Sequence, residues 1–240
     1  CTLTANAWAM GSLDHFKTVS TYTDTTFSDV SGWYAGYVET CYELGLFSGT
    51  GTGRFSPDAS MTAAEAVKLA ACLHSIYETG SADFVQGNPW WQVYADYCLE
   101  NGIMEDAFHD YSNAISRAQF AVLLAAALPD EVLSEMNAIA DEAIPDVHVS
   151  DSYGPAVYKL YRAGVFTGTD STGAFHPNTN IRRSEVAAVI TRMVRVSERK
   201  SVTLGASSGS VLTAEQVYAR CAPSVFSMIT YDANGEIYSR

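Results

Sequence analysis

No stretch of about eighteen apolar residues occurs in this chain, so nothing in it is long and apolar enough to cross a membrane as a helix. Basic residues are scarce, 14 Lys and Arg against 27 Asp and Glu, for a formal net charge of −13. A surface of that sign repels nucleic acid phosphates and anionic lipid, which argues against both as partners. An anionic ligand is awkward too, unless the few cations are concentrated where it binds. The cysteines Cys1, Cys41, Cys72, Cys98 and Cys221 are odd in number and include no CxxC, so they supply neither a disulfide framework nor a zinc site. Cys41, Cys72 and Cys98 fall in apolar helical stretches and read as small buried thiols.

Recognisable reaction chemistry is equally thin. The five histidines are scattered without an HExxH pair, and there is no phosphate-binding glycine loop. Residues 205–209 match the GxSxG pattern of a nucleophile elbow, but no histidine follows them to complete a triad. Residues 169–173 lack the alternating oxygen ligands and final glutamate of a calcium loop and read as a turn. Acidic pairs such as Glu105-Asp106 and Asp141-Glu142 read as solvated surface rather than a glycosidase pair. No catalytic residue, metal or cofactor is expected from this stretch of chain.

What is present is a repeat. Hydrophobic residues make up 48% of the chain and charged residues 17%, the balance of a folded protein. Three segments, 25–80, 81–128 and 144–196, lie over one another. Each opens on an amphipathic helix stopped by a glycine, Gly45, Gly102 or Gly164. Tyr37, Cys41 and Leu44 in the first copy, and Tyr94, Cys98 and Leu99 in the second, recur at helical spacing. A turn-rich loop follows, carrying Phe55, Phe108 or Phe175 toward the core and closed by Pro57 and Pro177 in copies one and three. A second, longer helix then starts at a capping box, Thr62-x-x-Glu65 or Ser116-x-x-Gln119; the third copy keeps Glu185 but puts Arg182 at the cap. One such hairpin cannot bury both its apolar faces. Three can close a shared core, which predicts an all-α, pseudo-threefold bundle over about 25–196. Residues 129–143 read as an inserted acidic, helical segment.

The pattern Phe-x-Asp-Val, Trp or Tyr, helix, Gly, Phe-x-Pro and a Thr-Arg-Ala-Glu-like helix start resembles the S-layer homology (SLH) repeat over roughly 170 residues. The resemblance implies a three-pronged helical domain with ligand grooves between copies. It further implies non-covalent anchoring of a secreted, cell-surface protein by binding secondary cell-wall polysaccharide, often capped with a pyruvate ketal. Other readings remain open: the leading part of a surface serine protease, or a helical module for protein–protein assembly. A monomer is expected, with no nucleic acid and no membrane insertion.

A helix start offers unpaired N–H groups and partial positive charge, and an arginine in its first turn adds a fork matched to a carboxylate. Arg117 and Arg183 occupy that position, with Arg182 beside the latter. They are either simply exposed first-turn residues or the answer to the acidic total charge. Trp33 and Trp90 are either core or sugar-stacking surfaces. Asp29 and Asp146 either cap helices or line a groove. Gly49 and Gly168 serve a turn first and ligand approach second. The first copy departs from the pattern with Ala63 where an arginine is expected. The second departs with Gln86 where Asp29 and Asp146 stand, and with Asp106 where Gly49 and Gly168 stand. One or two working grooves are therefore expected.

At the front, Ala7-Trp8-Ala9 has the small-x-small form of a signal-peptidase site, so residues 1–24 read as a signal-peptide remnant and lead. From 197 to 211 the composition reads as a flexible linker. Residues 212–240 then resemble the opening of a trypsin-like protease of the high-temperature-requirement class, with a short helix, an apolar strand and an Asn234-Gly235 hairpin turn. The catalytic residues of such a domain would lie after Arg240.

Overall fold

The computed structural model describes residues 11–204, 230–231 and 237–239. The chain divides into two units, 1–204 and 205–240. In the first, Gly45, Gly102 and Gly164 take φ of +70°, +68° and +72°, the left-handed conformation that glycine adopts without a Cβ penalty. Each ends a nine-residue helix: α1 (Ala35–Glu43), α3 (Gln92–Glu100) and α5 (Gly154–Arg162). The longer partners are α2 (Ala63–Thr79), α4 (Arg117–Ala127) and α6 (Arg183–Val194). Thr62 and Glu65 form the expected capping box on α2, and Ser116 and Gln119 form it on α4.

The all-α, threefold architecture is as expected, but the two helices of one copy do not pair as a hairpin. Each short helix packs on a long helix from another copy: α1 on α6, α3 on α2, α5 on α4. The same small contact recurs where a short helix meets its long neighbour. The Cys41 thiol donates to the Ala187 carbonyl at 3.4 Å, and the Cys98 thiol donates to the Val67 carbonyl at 3.6 Å. Burial pushes both thiols up to about 12, so they act as compact apolar fillers and weak donors. Cys72 is only partly buried but is likewise pushed up, to about 11.

The three copies meet where their loops enter the long helices. The Met61 N–H donates to the Ile181 carbonyl at 3.0 Å, Ile115 to Met61 at 2.9 Å, and Ile181 to Ile115 at 3.3 Å, a closed ring of three buried residues. Just outside it, the first N–H groups of every long helix are taken by the next copy's loop. Ala63 and Ala64 donate to Asn113 and Tyr111, Arg117 and Ala118 to Thr179 and Pro177, and Arg183 and Ser184 to Ala59 and Pro57. Helix starts normally leave such donors orphaned; here each repeat caps its neighbour.

Several details differ from the expectations. Residues 129–143 form turns and bends rather than a helix, tied down where Asn137 bonds the Tyr161 and Lys200 carbonyls and Arg162 bonds the Ile139 carbonyl. Leu99 is exposed, and Phe108 is only half buried while Tyr111 takes the core position in its loop, stacked on Trp91 at 3.9 Å. The polar stretch expected as a linker from 197 is held as far as Leu204: Arg199 is buried, Lys200 N–H bonds Gly164, and Val202 N–H bonds Asn137. The lead also packs, with Phe16 buried and Ser12 bonded to Tyr77. Ala7-Trp8-Ala9, residues 205–211 and Asn234-Gly235 lie outside the described residues. In the second unit, β1 (Thr230–Tyr231) and β2 (Ile237–Ser239) pair antiparallel.

Because Ile115 sits in the ring that joins all three copies, Ile115→Ala is expected to cost about 2–5 kcal/mol, the range for truncating a buried isoleucine. Calorimetry is expected to show one cooperative transition shifted down. Separate melting of one copy would contradict a shared core.

Candidate functional site

The three loops define three equivalent clefts, each walled by a loop, the long helix that follows it, and the first turn of a long helix from another copy. In the loop-1 cleft the incoming residue is Arg183 from α6, in the loop-3 cleft Arg117 from α4, and in the loop-2 cleft Ala63 from α2.

Both arginines are 4% exposed, which is not the position of free first-turn side chains. Arg183 donates from Nε to the Phe55 carbonyl at 2.9 Å, from Nη1 to Glu65 at 3.2 Å and from Nη2 to the Ser48 carbonyl at 3.0 Å. Arg117 repeats this with Nε on the Phe175 carbonyl at 2.7 Å and Nη1 on Glu185 at 2.6 Å. Each guanidinium also lies over two rings, Phe47 and Phe55 for Arg183, Phe166 and Phe175 for Arg117. Burial lowers the Arg183 pKa from its ordinary value, with the Glu65 and Asp29 charges opposing that.

The capping-box glutamates thus have two duties. One Glu65 oxygen accepts the Thr62 N–H and the other takes Arg183; one Glu185 oxygen accepts the Arg182 N–H and the other takes Arg117. In the loop-2 cleft the cap is Gln119, whose single oxygen bonds both the Ser116 N–H and hydroxyl. An amide there has no second oxygen for an arginine, and Ala63 provides none. Cation and carboxylate are lost together. That pairing was visible in the sequence as Arg with Glu twice and Ala with Gln once, but only across copies that the chain order does not place side by side.

Asp29 and Asp146 do not cap helices. Asp29 accepts the Phe55 and Ser56 N–H groups at 2.8 and 2.9 Å, and Asp146 accepts those of Phe175 and His176 at 2.8 and 2.7 Å. They latch the loops, holding Ser56 and His176 at φ of +58° and +55°. Burial raises the Asp29 pKa, but the two N–H donors and Arg54 outweigh it and leave the group below the ordinary carboxylate range. Gln86 has no such role and bonds the Tyr94 hydroxyl. Gly49 and Gly168 answer to the loop as well. A Cβ on Gly49 would lie 2.5 Å from the Arg54 carbonyl, and one on Gly168 would lie 2.6 Å from Gly173 in a backbone already at φ +84°.

What remains open to a ligand is uneven. The loop-3 cleft holds two adjoining cavities of about 450 and 330 Å³ that share Trp33, Arg117, Thr169 and Glu185; Arg182 and His176 line the larger, Gly168 and Arg192 the smaller. The loop-1 cleft is smaller, about 130 Å³, lined by Gly49, Glu65, Lys68 and Arg183. Lys68 also lies 6.0 Å over the Trp90 ring, which places that tryptophan at the rim. Trp33 is 63% exposed and Trp90 39%, so both present ring surface rather than filling the core. Their counterpart before α5 is Ser152. Arg117, Arg182, Trp33 and Gly168 are therefore brought together, Arg183 and Gly49 form a second group with Trp90 nearby, and Asp29 and Asp146 stand behind the loops. Lys68, Thr169, His176 and Arg192 carried no signal in the linear repeat. Among the described residues no cluster of His, Cys, Asp or Glu is placed to hold a metal, and no helix is long and apolar enough to cross a membrane.

Two of the three clefts built between copies combine a buried guanidinium with an exposed tryptophan. The model of the S-layer homology domain matches residues 26–67 and 143–187, which lie in copies one and three. Such domains are non-catalytic, and the match indicates cell-wall anchoring and a cell-surface or S-layer protein in general terms. No curated protein matches the chain.

Removing Arg183 leaves Glu65 and the Phe55 and Ser48 carbonyls without their donor, so Arg183→Ala is expected to cost about 3 kcal/mol in denaturant unfolding. Asp29, depressed in the folded state, contributes stability that is present above its unfolded pKa and lost as pH falls through the folded value. Asp29→Asn is expected to melt lower at pH 7 and to lose less on acidification toward pH 3 than the unmodified protein. Parallel melting curves for the two would rule out that role.

Proposed function

We propose that residues 25–196 are three repeats of one wall-binding module, and that the loop-3 and loop-1 clefts hold an anionic, pyruvate-ketal-bearing secondary cell-wall polysaccharide on the surface of the secreting cell. The observation that carries this reading is the division among the clefts. Two retain a buried arginine paired with a partly exposed glutamate, a glycine and an exposed tryptophan; the third has Ala63, Gln119, Asp106 and Ser152 at the same places. The arginine, glutamate and glycine serve the seam and the loop, but the exposed tryptophan serves neither and is absent from the same cleft. Aromatic faces suit sugar rings, and the larger cavities fall in the size range of small-molecule sites. The copy outside the matched segments supplies Arg117 and the loop-2 carbonyls that cap α2, so it is an integral part of the domain.

Since Arg117 and Arg183 hold the fold, the informative variants are at the tryptophans. Trp33→Ala is expected to weaken sedimentation with purified wall sacculi about tenfold, the scale of one lost aromatic contact. Trp90→Ala should have a smaller effect and Ser152→Ala none. Unchanged sedimentation of the Trp33→Ala/Trp90→Ala double variant would refute the assigned clefts. Sacculi stripped of pyruvate ketals report on the acidic group separately.

A second proposal concerns the tail. Antiparallel pairing of β1 with β2 agrees with a hairpin early in a further domain. A trypsin-like cargo carried by the anchor is consistent with that pairing, and sequence following Arg240 tests it through the order of its His, Asp and Ser.

A further inference from the structure

We infer that Leu204 is a positioning residue for the loop-3 cleft, pressed onto the turn of that loop by a strap, residues 197–204, which the inserted segment 129–143 clamps in place; this rests on the polysaccharide reading above. The strap follows α6 and passes the end of α5. Arg199 is buried, donating from Nε to the Arg192 carbonyl at 3.1 Å and from Nη2 to the Val132 carbonyl at 2.8 Å. The Lys200 N–H donates to the Gly164 carbonyl at 2.9 Å. Asn137, also buried, uses both ends of its amide on the same junction. Its Nδ2 donates to the Tyr161 and Lys200 carbonyls at 2.9 and 3.0 Å, and its Oδ1 accepts the Val202 N–H at 3.0 Å. An amide buried with these bonds met is costly to displace, since each group would be left unpaired. A Cβ on Gly164 would lie 2.7 Å from the Lys200 carbonyl oxygen, so the close approach of the strap requires a glycine there.

Leu204 ends the strap. Its side chain is partly buried against the core and occupies the space that a Cβ on Gly173 would enter. Gly173 is at φ +80°, and its carbonyl accepts the hydroxyl of the buried Tyr161 at 3.1 Å. Its Cα stands 2.6 Å from the Cβ position of Gly168, which lines the smaller cavity. Thr169, on the wall of both cavities, is fixed to the same turn through its N–H on the Ala174 carbonyl at 2.9 Å. A continuous line of contact therefore runs from Leu204 through Gly173 to the cavity wall.

Loop 1 has no such cover. Its counterpart of Gly173 is Gly53, two residues before Phe55, and among the described residues nothing lies within 4 Å of a Cβ built there. Loop 3 is also the longer. Gly168 stands seven positions before Phe175, whereas Gly49 stands six before Phe55. A longer turn has more freedom to lose when a ligand orders it, and a leucine packed on it removes part of that freedom beforehand. The roomier cleft thus has the covered turn, and the narrower cleft has the open one.

The test uses the full chain. Hydrogen exchange reads the loops directly, because the Thr169 N–H of loop 3 and the Thr50 N–H of loop 1 make equivalent bonds of 2.9 Å, to the Ala174 and Arg54 carbonyls. Leu204→Ala is expected to speed exchange at Thr169 about tenfold with Thr50 unchanged, and Leu204→Met to keep the protection. Sacculus sedimentation reads the consequence for binding. In a Trp90→Ala background, where the loop-3 cleft keeps its tryptophan, Leu204→Ala should weaken binding about three- to tenfold; in a Trp33→Ala background the loss should stay under about twofold. Equal losses in the two backgrounds, unchanged exchange at Thr169, or faster exchange at both amides together would each overturn the inference while leaving wall binding intact. Failure of the unmodified protein to sediment with sacculi overturns the anchoring reading itself, and exchange at Thr169 still decides whether the strap holds the loop.

Discussion

The ring of hydrogen bonds through Met61, Ile115 and Ile181 is the constraint from which the rest follows. It fixes three loops at one point, and each loop then delivers carbonyls to the start of another copy's long helix. A short repeat with two helices and one loop has too little surface to bury alone, and its helix starts would be uncapped. Circular exchange solves both problems, because every copy completes the one beside it. The α1–α6 contact closes the circle by joining the first copy to the last.

That exchange also explains where the charge goes. The chain is acidic, yet the two most buried cations among the described residues sit at the seams between copies, each shared between a loop carbonyl, a pair of rings and a glutamate that is already capping a helix. A buried cation is tolerated when its donors are met and a carboxylate, here partly exposed, lies beside it. In the loop-2 cleft the pair is absent, and Trp91 stacked on Tyr111 supplies packing instead. The same seam can thus be built with or without ions. Where the ions are kept, exposed tryptophans are kept too.

Much of the domain was legible in the residues. Gly45, Gly102 and Gly164 mark helix ends because only glycine enters the left-handed region freely, and the capping boxes mark helix starts because their side chains satisfy local donors. The roles of Asp29 and Asp146 were not legible, since a carboxylate near a helix start also suits a cap. Here each bonds to N–H groups 26 to 30 residues away. The acidic segment 129–143 carries helix-compatible residues, yet tertiary anchors at Asn137 and Arg162 hold it in turns. Nor did composition reveal that residues 197–204 are held by backbone and side-chain partners in the preceding segment.

The sequence by itself determined the local units: three copies of helix, loop and helix, their caps, their apolar faces, and the substitutions at Ala63, Gln119 and Asp106. These are set by interactions spanning a few residues, which any reading of spacing detects. Tertiary structure decided which copy serves which. It sent Arg183 into the first copy's loop and Arg117 into the third's, and paired each short helix with a foreign long one. The reason is geometric. Closing a threefold ring fixes contacts between residues more than a hundred positions apart, and nothing in the order of the chain records their distances.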